Sequence, residues 1–172
     1  MFYKVADYTM MEVEMGNESN GKMFFEDLIL LDKKFQNANQ FFDFTFPILK
    51  SGGYVNHSFL DAIKQRESLF PTALPTEPYV VAMPHTDVEH VIRPFIYFAR
   101  AKGTIPWCEM ANNDNVLRAN FVFLLGFNQK NGHIDLLQKL MTYFVNSHFL
   151  EALYYAETKH EIFTLLTSNI NL

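Results

Sequence analysis

The sequence predicts an α/β protein with three layers, α/β/α, in which helices flank both faces of a central mixed β-sheet. Three stretches are apolar almost without interruption: YVVAM at 79–83, PFIYFARA at 94–101 and ANFVFLLGF at 119–127. Such runs are typical of strands that are covered on both faces. Segments with helical periodicity come before, between and after these strands, and this order predicts the layered arrangement.

Length and composition predict one globular domain. The chain has 172 residues, of which 49% are hydrophobic and 19% charged, which is enough to bury a substantial core. The turn-forming stretch MGNESNG separates an N-terminal arm at 1–22 from a domain at 23–172. The net charge of −5 argues against nucleic acid as a partner, because that function needs clustered Lys and Arg.

Other features of the composition predict a cytoplasmic protein. No run of 18 apolar residues is present, and the first residues lack a basic and then apolar leader. The one cysteine, Cys108, cannot form an intramolecular disulfide, which fits a reducing compartment.

The first half of the domain is predicted to contain a strand and two helices. FFEDLILL is typical of a short buried strand. NQFFDFTFPILKSGG is predicted to be a helix that ends at Gly52–Gly53, with a kink just before Pro47 because proline lacks the backbone donor. SFLDAIKQRE is predicted to be a second helix, in which Ser58 and Asp61 have capping-box spacing.

The second half supplies the loop before the central strands and three further helices. FPTALPTEP, with three prolines, is predicted to be an extended loop, and IPWCEM at 105–110 a separate short strand. HFLEALYYA and TKHEIFTLL are predicted helices, the latter with a capping box between Thr158 and Glu161. HIDLLQKLMTYFV is predicted to be a helix whose apolar face contains Ile134, Leu137, Met141 and Phe144.

Chemistry is predicted at the end of the strand at 79–83. Pro84 cannot donate to a sheet ladder, so the strand ends there and His85 lies at the rim of the sheet. Ligand crevices in α/β folds lie at the carboxyl ends of strands. His133 opens a helix beyond another strand, and two imidazoles at two strand ends can converge. Taken alone, a histidine after a strand is more often structural than catalytic.

A metal site is the main alternative that the residues themselves offer. His85, Asp87, Glu89 and His90 provide suitable donors within six residues. Neither His-Glu-x-x-His on a helix nor paired Cys-x-x-Cys is present, however. The sequence also lacks Gly-x-Ser-x-Gly and any glycine-rich phosphate loop. These absences disfavour a metal site and, more strongly, catalysis by a nucleophilic serine or cysteine.

The segment DAIKQRESLFPTALPTEPYVVAMPHTDVEHV resembles the active-site region of EIIA components of the bacterial phosphotransferase system, in the fructose/mannitol-type superfamily. That family typically has a helix ending in Arg-Glu, a Thr-Gly loop, and an apolar strand closing with Ala-Ile-Pro-His. The counterparts here are Arg66-Glu67, Thr72-Ala73 and Ala82-Met83-Pro84-His85. FVFLLGFNQKNGHIDLLQKL and HFLEALYYAETKHEIFTLL resemble the later strand and helices, so the resemblance covers about residues 24–167.

PHTDVEHV and MANNDNVLRANFVFLL are most similar to the galactitol-type subgroup of this superfamily. Two positions depart from the expected pattern. Ala73 stands where the family usually has glycine, and His133 stands where galactitol-type members can have glutamine.

The resemblance implies a phosphoryl carrier for the transport of a sugar or sugar alcohol, working without a bound cofactor. His85 would accept a phosphoryl group from the carrier protein HPr and pass it to a cysteine of an EIIB component. The membrane permease EIIC would be an indirect partner. A neutral imidazole is already a nucleophile, so no separate strong base is required.

Other residues are implied to position the phosphoryl group beside His85. Donors to its oxygens would lower the barrier of transfer, and a carboxylate would orient the imidazole ring. The implied donors are Arg66, His133 and Thr72, and the carboxylate that orients the ring would be Asp87 or Glu89. A regulatory EIIA-like protein without an EIIB acceptor is one alternative, and a small metal-dependent hydrolase built on His85, His90 and a carboxylate is another.

Overall fold

Five strands and five helices follow one another along residues 23–130 and 133–170, which are the residues that the computed structural model describes. The arm predicted at 1–22 lies outside them. The first five elements are β1 (Phe24–Lys33), α1 (Ala38–Ser51), α2 (Phe59–Leu69), β2 (Ala73–Leu74) and β3 (Val80–Ala82). The others are β4 (Phe95–Glu109), β5 (Asn112–Gly126), α3 (His133–Phe144), α4 (Ser147–Tyr155) and α5 (Lys159–Asn169).

The strands form one mixed sheet, as predicted. β1 runs parallel to β4, β4 antiparallel to β5, and β5 parallel to β3. The short β2 pairs antiparallel with β3 and also reaches the far end of β4, where Ala73 lies opposite Glu109. β3 is therefore next to β5 on one side, and its carboxyl end lies beside that of β5.

Alternate side chains of β4 and β5 supply two apolar cores, one on each face of the sheet. One core joins Phe98 and Phe123 to the C-terminal helices. The other joins Tyr97, Leu124 and the buried Trp107 to α1 and α2. This alternation follows from the two-residue period of a strand. Helices therefore cover both faces, which confirms the predicted three-layer α/β/α arrangement.

β4 and β2 differ from the sequence-based expectation. The sequence predicts two strands at 94–101 and 105–110, whereas the structure has one strand with a register irregularity between Arg100 and Ile105. Gly103 lies inside this irregularity with φ of 82°, a conformation that glycine adopts readily. β2 forms within the segment predicted to be a loop. Its Ala73 pairs with Ala82, so the change from glycine introduces no left-handed backbone there.

The helix ends agree with the sequence in part. Pro47 lies inside α1 without ending it, and Gly52 is the C-cap; the kink stays a prediction. The capping box of α5 between Thr158 and Glu161 is confirmed. The capping box predicted at Ser58 is not formed, because the Ser58 hydroxyl instead contacts Asn56 at 2.6 Å and His90 at 2.7 Å.

The buried face of α3 agrees with the predicted one at Phe144, which is buried, and in part at Leu137, which packs half-buried against the core. It differs at the other two predicted positions. Ile134 is 70% exposed and Met141 is 38% exposed. Leu136, Leu140 and Phe144 are buried, since positions four apart share a helix face. No helix within the two described ranges is long and apolar enough to cross a bilayer.

Candidate functional site

His85 lies at the carboxyl end of β3, where the sequence predicts it. It forms a parallel bridge with Leu125 of β5, and the Leu125 amide donates to the Pro84 carbonyl at 2.9 Å. Pro84 has no amide hydrogen to extend the ladder. The half-buried imidazole is thereby held at the edge of the sheet by backbone contacts with β5.

The orientation of the His85 ring is set by the backbone of its own strand. Nδ1 of His85 lies 3.0 Å from the carbonyl oxygen of Met83. A carbonyl can only accept a hydrogen bond, so Nδ1 carries the hydrogen and the lone pair is on Nε2. The predicted orienting carboxylates contact other groups: Asp87 lies 3.4 Å from Arg66, and Glu89 lies 4.0 Å from His90. The orienting acceptor in the structure is Met83.

The surroundings of His85 keep its imidazole neutral. Burial lowers the pKa of His85 below its usual value of 6.5, and the charge of Arg66 lowers this pKa further. The hydrogen bond to Met83 and the charge of Asp87 act in the opposite direction without reversing the shift. At neutral pH the side chain therefore has a free lone pair, which is the form needed for nucleophilic attack.

Arg66 brings a guanidinium to the same place from the last turn of α2. Its Nη1 atom lies 3.4 Å from Asp87, and both side chains are accessible to solvent. Its charge affects the pKa of His85, so it acts at the imidazole. The ring of the exposed Phe70 lies 5.8 Å from the guanidinium carbon. The Arg66 guanidinium has the planar, bidentate geometry that suits an oxyanion.

Thr72, predicted to donate a hydrogen bond to the phosphoryl oxygens, is buried and hydrogen-bonded to a different group. Its amide donates to Oε1 of Glu67 at 2.8 Å, and its hydroxyl donates to Oε2 at 2.9 Å. Trp107 also donates to Glu67, with its indole nitrogen 2.7 Å from Oε1. Burial raises the pKa of Glu67 from 4.5 to about 7, and these hydrogen bonds and the charge of Arg66 partly oppose that rise.

His133 is the first residue of α3. The chain reaches it from β5, which ends at Gly126, one residue beyond the partner of His85. α3 therefore starts from the same edge of the sheet. The contact of the His133 side chain with the phosphoryl group stays a prediction.

The residues of the metal-site alternative make other contacts. His90 is bonded to Ser58, and Asp87 is paired with Arg66. Within the described part of the chain, no group of three or more His, Cys, Asp or Glu side chains could hold a metal ion. This arrangement gives the hydrolase alternative no support.

Two residues near the site are assigned no role by the sequence. Met83 acts through its carbonyl, which no side-chain pattern reveals. Glu67 has a detectable signal: Phe59, Ile63 and Glu67 recur every fourth residue in α2, and all three are buried. A carboxylate on the apolar side of a helix needs hydrogen-bond partners, and this spacing predicts such a buried group.

The comparison with protein families matches residues 22–169 to one described as the phosphoenolpyruvate-dependent sugar phosphotransferase system, EIIA 2. Multiphosphoryl transfer protein 1 of Escherichia coli (strain K12) is 28% identical over 145 residues. The aligned region is 83% of this chain, and it spans only 17% of that protein.

Solved structures with similar folds include the complex of enzyme IIA-Mtl and phosphorylated enzyme IIB-Mtl from Escherichia coli. The TM-score is 0.68 at 23% identity, with 84% of this chain and 97% of that chain covered. Nitrogen regulatory protein IIA-Ntr from Neisseria meningitidis has a TM-score of 0.69 at 21% identity, with 85% and 97% covered. At these identities the likeness shows the fold.

Proposed function

Because this chain belongs to the EIIA 2 family of the phosphoenolpyruvate-dependent sugar phosphotransferase system, we propose that His85 is the histidine on which it carries a phosphoryl group. Phosphoryl transfer through a histidine is the activity of the family to which the chain belongs. The observation that carries the assignment is the hydrogen bond from Nδ1 to Met83. Burial keeps the imidazole neutral, and this hydrogen bond selects the tautomer with the lone pair on Nε2.

The transfer consists of two displacements at phosphorus. Nε2 of His85 attacks the phosphorus of phosphorylated HPr, an N–P bond forms on His85, and the N–P bond in the donor breaks. A cysteine thiolate of EIIB then attacks, an S–P bond forms, and the imidazole of His85 leaves with the electron pair on Nε2. Such transfers depend mainly on in-line positioning and on charge stabilisation at the peripheral oxygens.

Arg66 is the residue of the described site that is best placed to stabilise those oxygens. Its partner Asp87 is on the surface, so an incoming phosphoryl group can replace that carboxylate with little desolvation cost. His133 is proposed to donate from the start of α3. Thr72 contributes indirectly, since its donors are bonded to Glu67. Glu89, paired loosely with His90, has no proposed role in transfer.

HPr and EIIB are the proposed partners, and EIIC is reached only through EIIB. The surface beside Arg66 suits a protein partner because Leu69 and Phe70 are 58% and 65% exposed. Exposed apolar side chains next to a functional charge are typical of protein interaction sites. A cytoplasmic location is part of this proposal.

The galactitol-type subgroup is proposed as the finer assignment. PHTDVEHV after β3 and MANNDNVLRANFVFLL, which covers the turn after β4 and nearly all of β5, support it. The transported sugar contacts the permease, so subgroup membership is tested with cognate EIIB proteins. Transfer to a galactitol-type EIIB should be at least tenfold faster than to a mannitol-type EIIB, and the reverse order would reject the subgroup.

The decisive experiment is phosphorylation by phosphoenolpyruvate, the first enzyme of the system and HPr. One acid-labile and base-stable phosphoryl group should map to the peptide containing His85, and His85→Gln should accept none while melting normally. Label on another residue would reject the assignment.

Purified phosphoprotein then distinguishes the alternatives. Transfer to an EIIB cysteine in excess EDTA is expected. Loss of transfer that zinc or magnesium restores would favour the hydrolase alternative, and absence of transfer to any EIIB of the system would favour the regulatory protein.

A further inference from the structure

Glu67 is a buried carboxyl group next to the site that no step of the transfer uses. It is only 8% exposed, yet it accepts hydrogen bonds from the Thr72 amide, the Thr72 hydroxyl and the Trp107 indole. Burying a charged carboxylate is costly unless hydrogen-bond donors surround it. The Thr72 amide and the Trp107 indole can only donate, so these contacts are matched to the carboxylate form of Glu67.

A continuous series of hydrogen bonds joins this carboxylate to His85. Thr72, held by Glu67, accepts a hydrogen bond from the Met83 amide on its carbonyl oxygen at 3.2 Å. The Met83 carbonyl in turn accepts from Nδ1 of His85 at 3.0 Å. The series therefore runs from Trp107 through Glu67, Thr72 and Met83 to the imidazole.

The same carboxyl group also anchors the helix turn that carries Arg66. Glu67 anchors the last turn of α2 to β4 through Trp107, and Arg66 is the preceding residue on that turn. Backbone rotation at this turn would move the guanidinium relative to His85. One buried side chain thus contacts the segments that lead to both the nucleophile and the cation beside it.

We propose that Glu67 is a positioning residue for phosphoryl transfer, which in its ionised form holds Thr72, Met83 and His85 in register and in its protonated form releases them. The proposal depends on His85 being the phosphorylated residue. A protonated carboxyl loses acceptor capacity and gains a donor, whereas the Thr72 amide and the Trp107 indole can only donate. Protonation therefore weakens the contact with Thr72, the residue that carries the restraint to Met83.

The pH range of this change is set by the groups around Glu67. Burial raises its pKa to about 7, and the opposing groups are the Trp107 and Thr72 hydrogen bonds and the charge of Arg66. Arg66 is on the same helix; β4 faces the carboxyl with Trp107, and the loop before β2 faces it with Thr72. The carboxylate is lost as the pH falls through 7.

Trp107 provides a direct readout because it is the only tryptophan in the chain and its indole contacts the carboxyl group. Its emission should titrate with a midpoint near pH 7 in the wild-type protein, and this titration should be absent in Glu67→Gln. A titration of equal midpoint and amplitude in Glu67→Gln would overturn the proposal. This measurement involves no phosphoryl donor, so its result does not depend on the identity of the phosphorylated residue.

The coupling to transfer is tested by the saturating rate of His85 phosphorylation from phosphorylated HPr. The rate of wild type divided by that of Glu67→Gln cancels the pH dependence of the donor. This ratio should be about tenfold at pH 8, as expected for a lost hydrogen bond to a charged group, and should approach one at pH 6. The apparent KM for HPr should be unchanged, because Glu67 is buried.

Glu109→Gln is the matched control, since Glu109 is a carboxylate on the same strand as Trp107 that is bonded to Asn115. It should follow wild type in both measurements.

Thr72→Val, which keeps the amide but removes the hydroxyl, should lower the rate about threefold. A ratio of wild type to Glu67→Gln that stays constant from pH 6 to 8 would reject the coupling, and phosphorylation of His85→Gln would reject the proposed function instead.

Discussion

His85 and Met83 are two residues apart at the end of β3, and the Met83 carbonyl accepts a hydrogen bond from Nδ1 of the imidazole at 3.0 Å. Side chains of a regular strand project away from its backbone. The imidazole of His85 instead turns back toward the carbonyl of a residue two positions earlier in the chain. This contact uses one ring nitrogen and leaves the other for chemistry.

We therefore expect the phosphoryl group on Nε2 of His85. Phosphorylation at Nδ1 would require this atom to lose its hydrogen bond to Met83. The two phosphohistidine isomers are distinguished by ¹⁵N–³¹P couplings in the labelled phosphoprotein. A signal from the Nδ1 isomer would show that the tautomer assigned from the structure is not the reactive one.

Arg66→Gln and His133→Ala should each slow phosphorylation by roughly 10²–10³, the effect of removing one preorganised donor from a transition state. Both variants should still become fully phosphorylated on long incubation. The melting temperature of Arg66→Gln should stay near wild type, because this side chain is solvent-accessible. Arg118→Gln, which removes an exposed arginine from β5, is the control. Wild-type rates in both site variants would restrict the site to His85.

Asp87→Asn and Glu89→Gln should differ in their effects. Asp87 contacts Arg66 at 3.4 Å and its charge affects the pKa of His85. Its removal leaves the guanidinium without a fixed position and should slow transfer about threefold to tenfold. Glu89 lies 4.0 Å from His90, so Glu89→Gln should remain within about twofold of wild type. Equal effects of the two substitutions on the rate of phosphoryl transfer, measured in quenched time courses, would contradict this distinction.

The sequence predicts the elements of the site better than the contacts between them. Pro84 ends β3 and places His85 at the sheet edge by a rule of backbone chemistry, and the apolar runs predict the central strands by their burial. These features depend on local covalent structure and on composition, so they can be recognised without knowing the fold.

The contacts depend on which segments meet, and the sequence does not contain that information locally. Met83 and Thr72 are brought together by a backbone hydrogen bond across eleven positions of chain, and neither side chain signals it. Similarly, Ile134 and Leu136 lie on different sides of α3 and are both apolar, and only packing against the sheet selects the side of Leu136 for burial. Tertiary contact determines these outcomes.

Glu67 should make the stability of the fold depend on pH. Its pKa is raised from 4.5 to about 7 by burial, so between these values the folded state holds a proton that the unfolded state has released. Stability therefore falls as the pH rises through this range, by roughly 3 kcal/mol in total. Urea unfolding of wild type and Glu67→Gln at pH 5 and pH 8 measures the difference. The free energy of unfolding of Glu67→Gln, relative to that of wild type, should rise by about that amount from pH 5 to pH 8. Parallel pH profiles of the two proteins would contradict the raised pKa.

Arg100 should be the most costly arginine to remove, because it joins three elements from a buried position. Its guanidinium binds Asp32 of β1 through two hydrogen bonds, at 3.0 and 2.9 Å. Its Nη1 atom donates to the carbonyls of Leu153, Tyr154 and Ala156 at the end of α4. Those carbonyls have no helical partner of their own, so the arginine acts as a C-terminal cap.

Arg100→Met should lower the free energy of unfolding by about 3 kcal/mol, as expected when one partner of a buried polar cluster is removed. For a chain of this size the melting temperature should fall by roughly 6–12 °C. Arg100→Lys should recover only part of the loss, since an ammonium group cannot reproduce the planar fork. Arg118→Met, on the exposed surface of the neighbouring strand, should change the melting temperature by less than about 2 °C. If Arg100→Met melts like Arg118→Met, the carbonyls at the end of α4 are capped by water, and Arg100 does not hold this helix to the sheet.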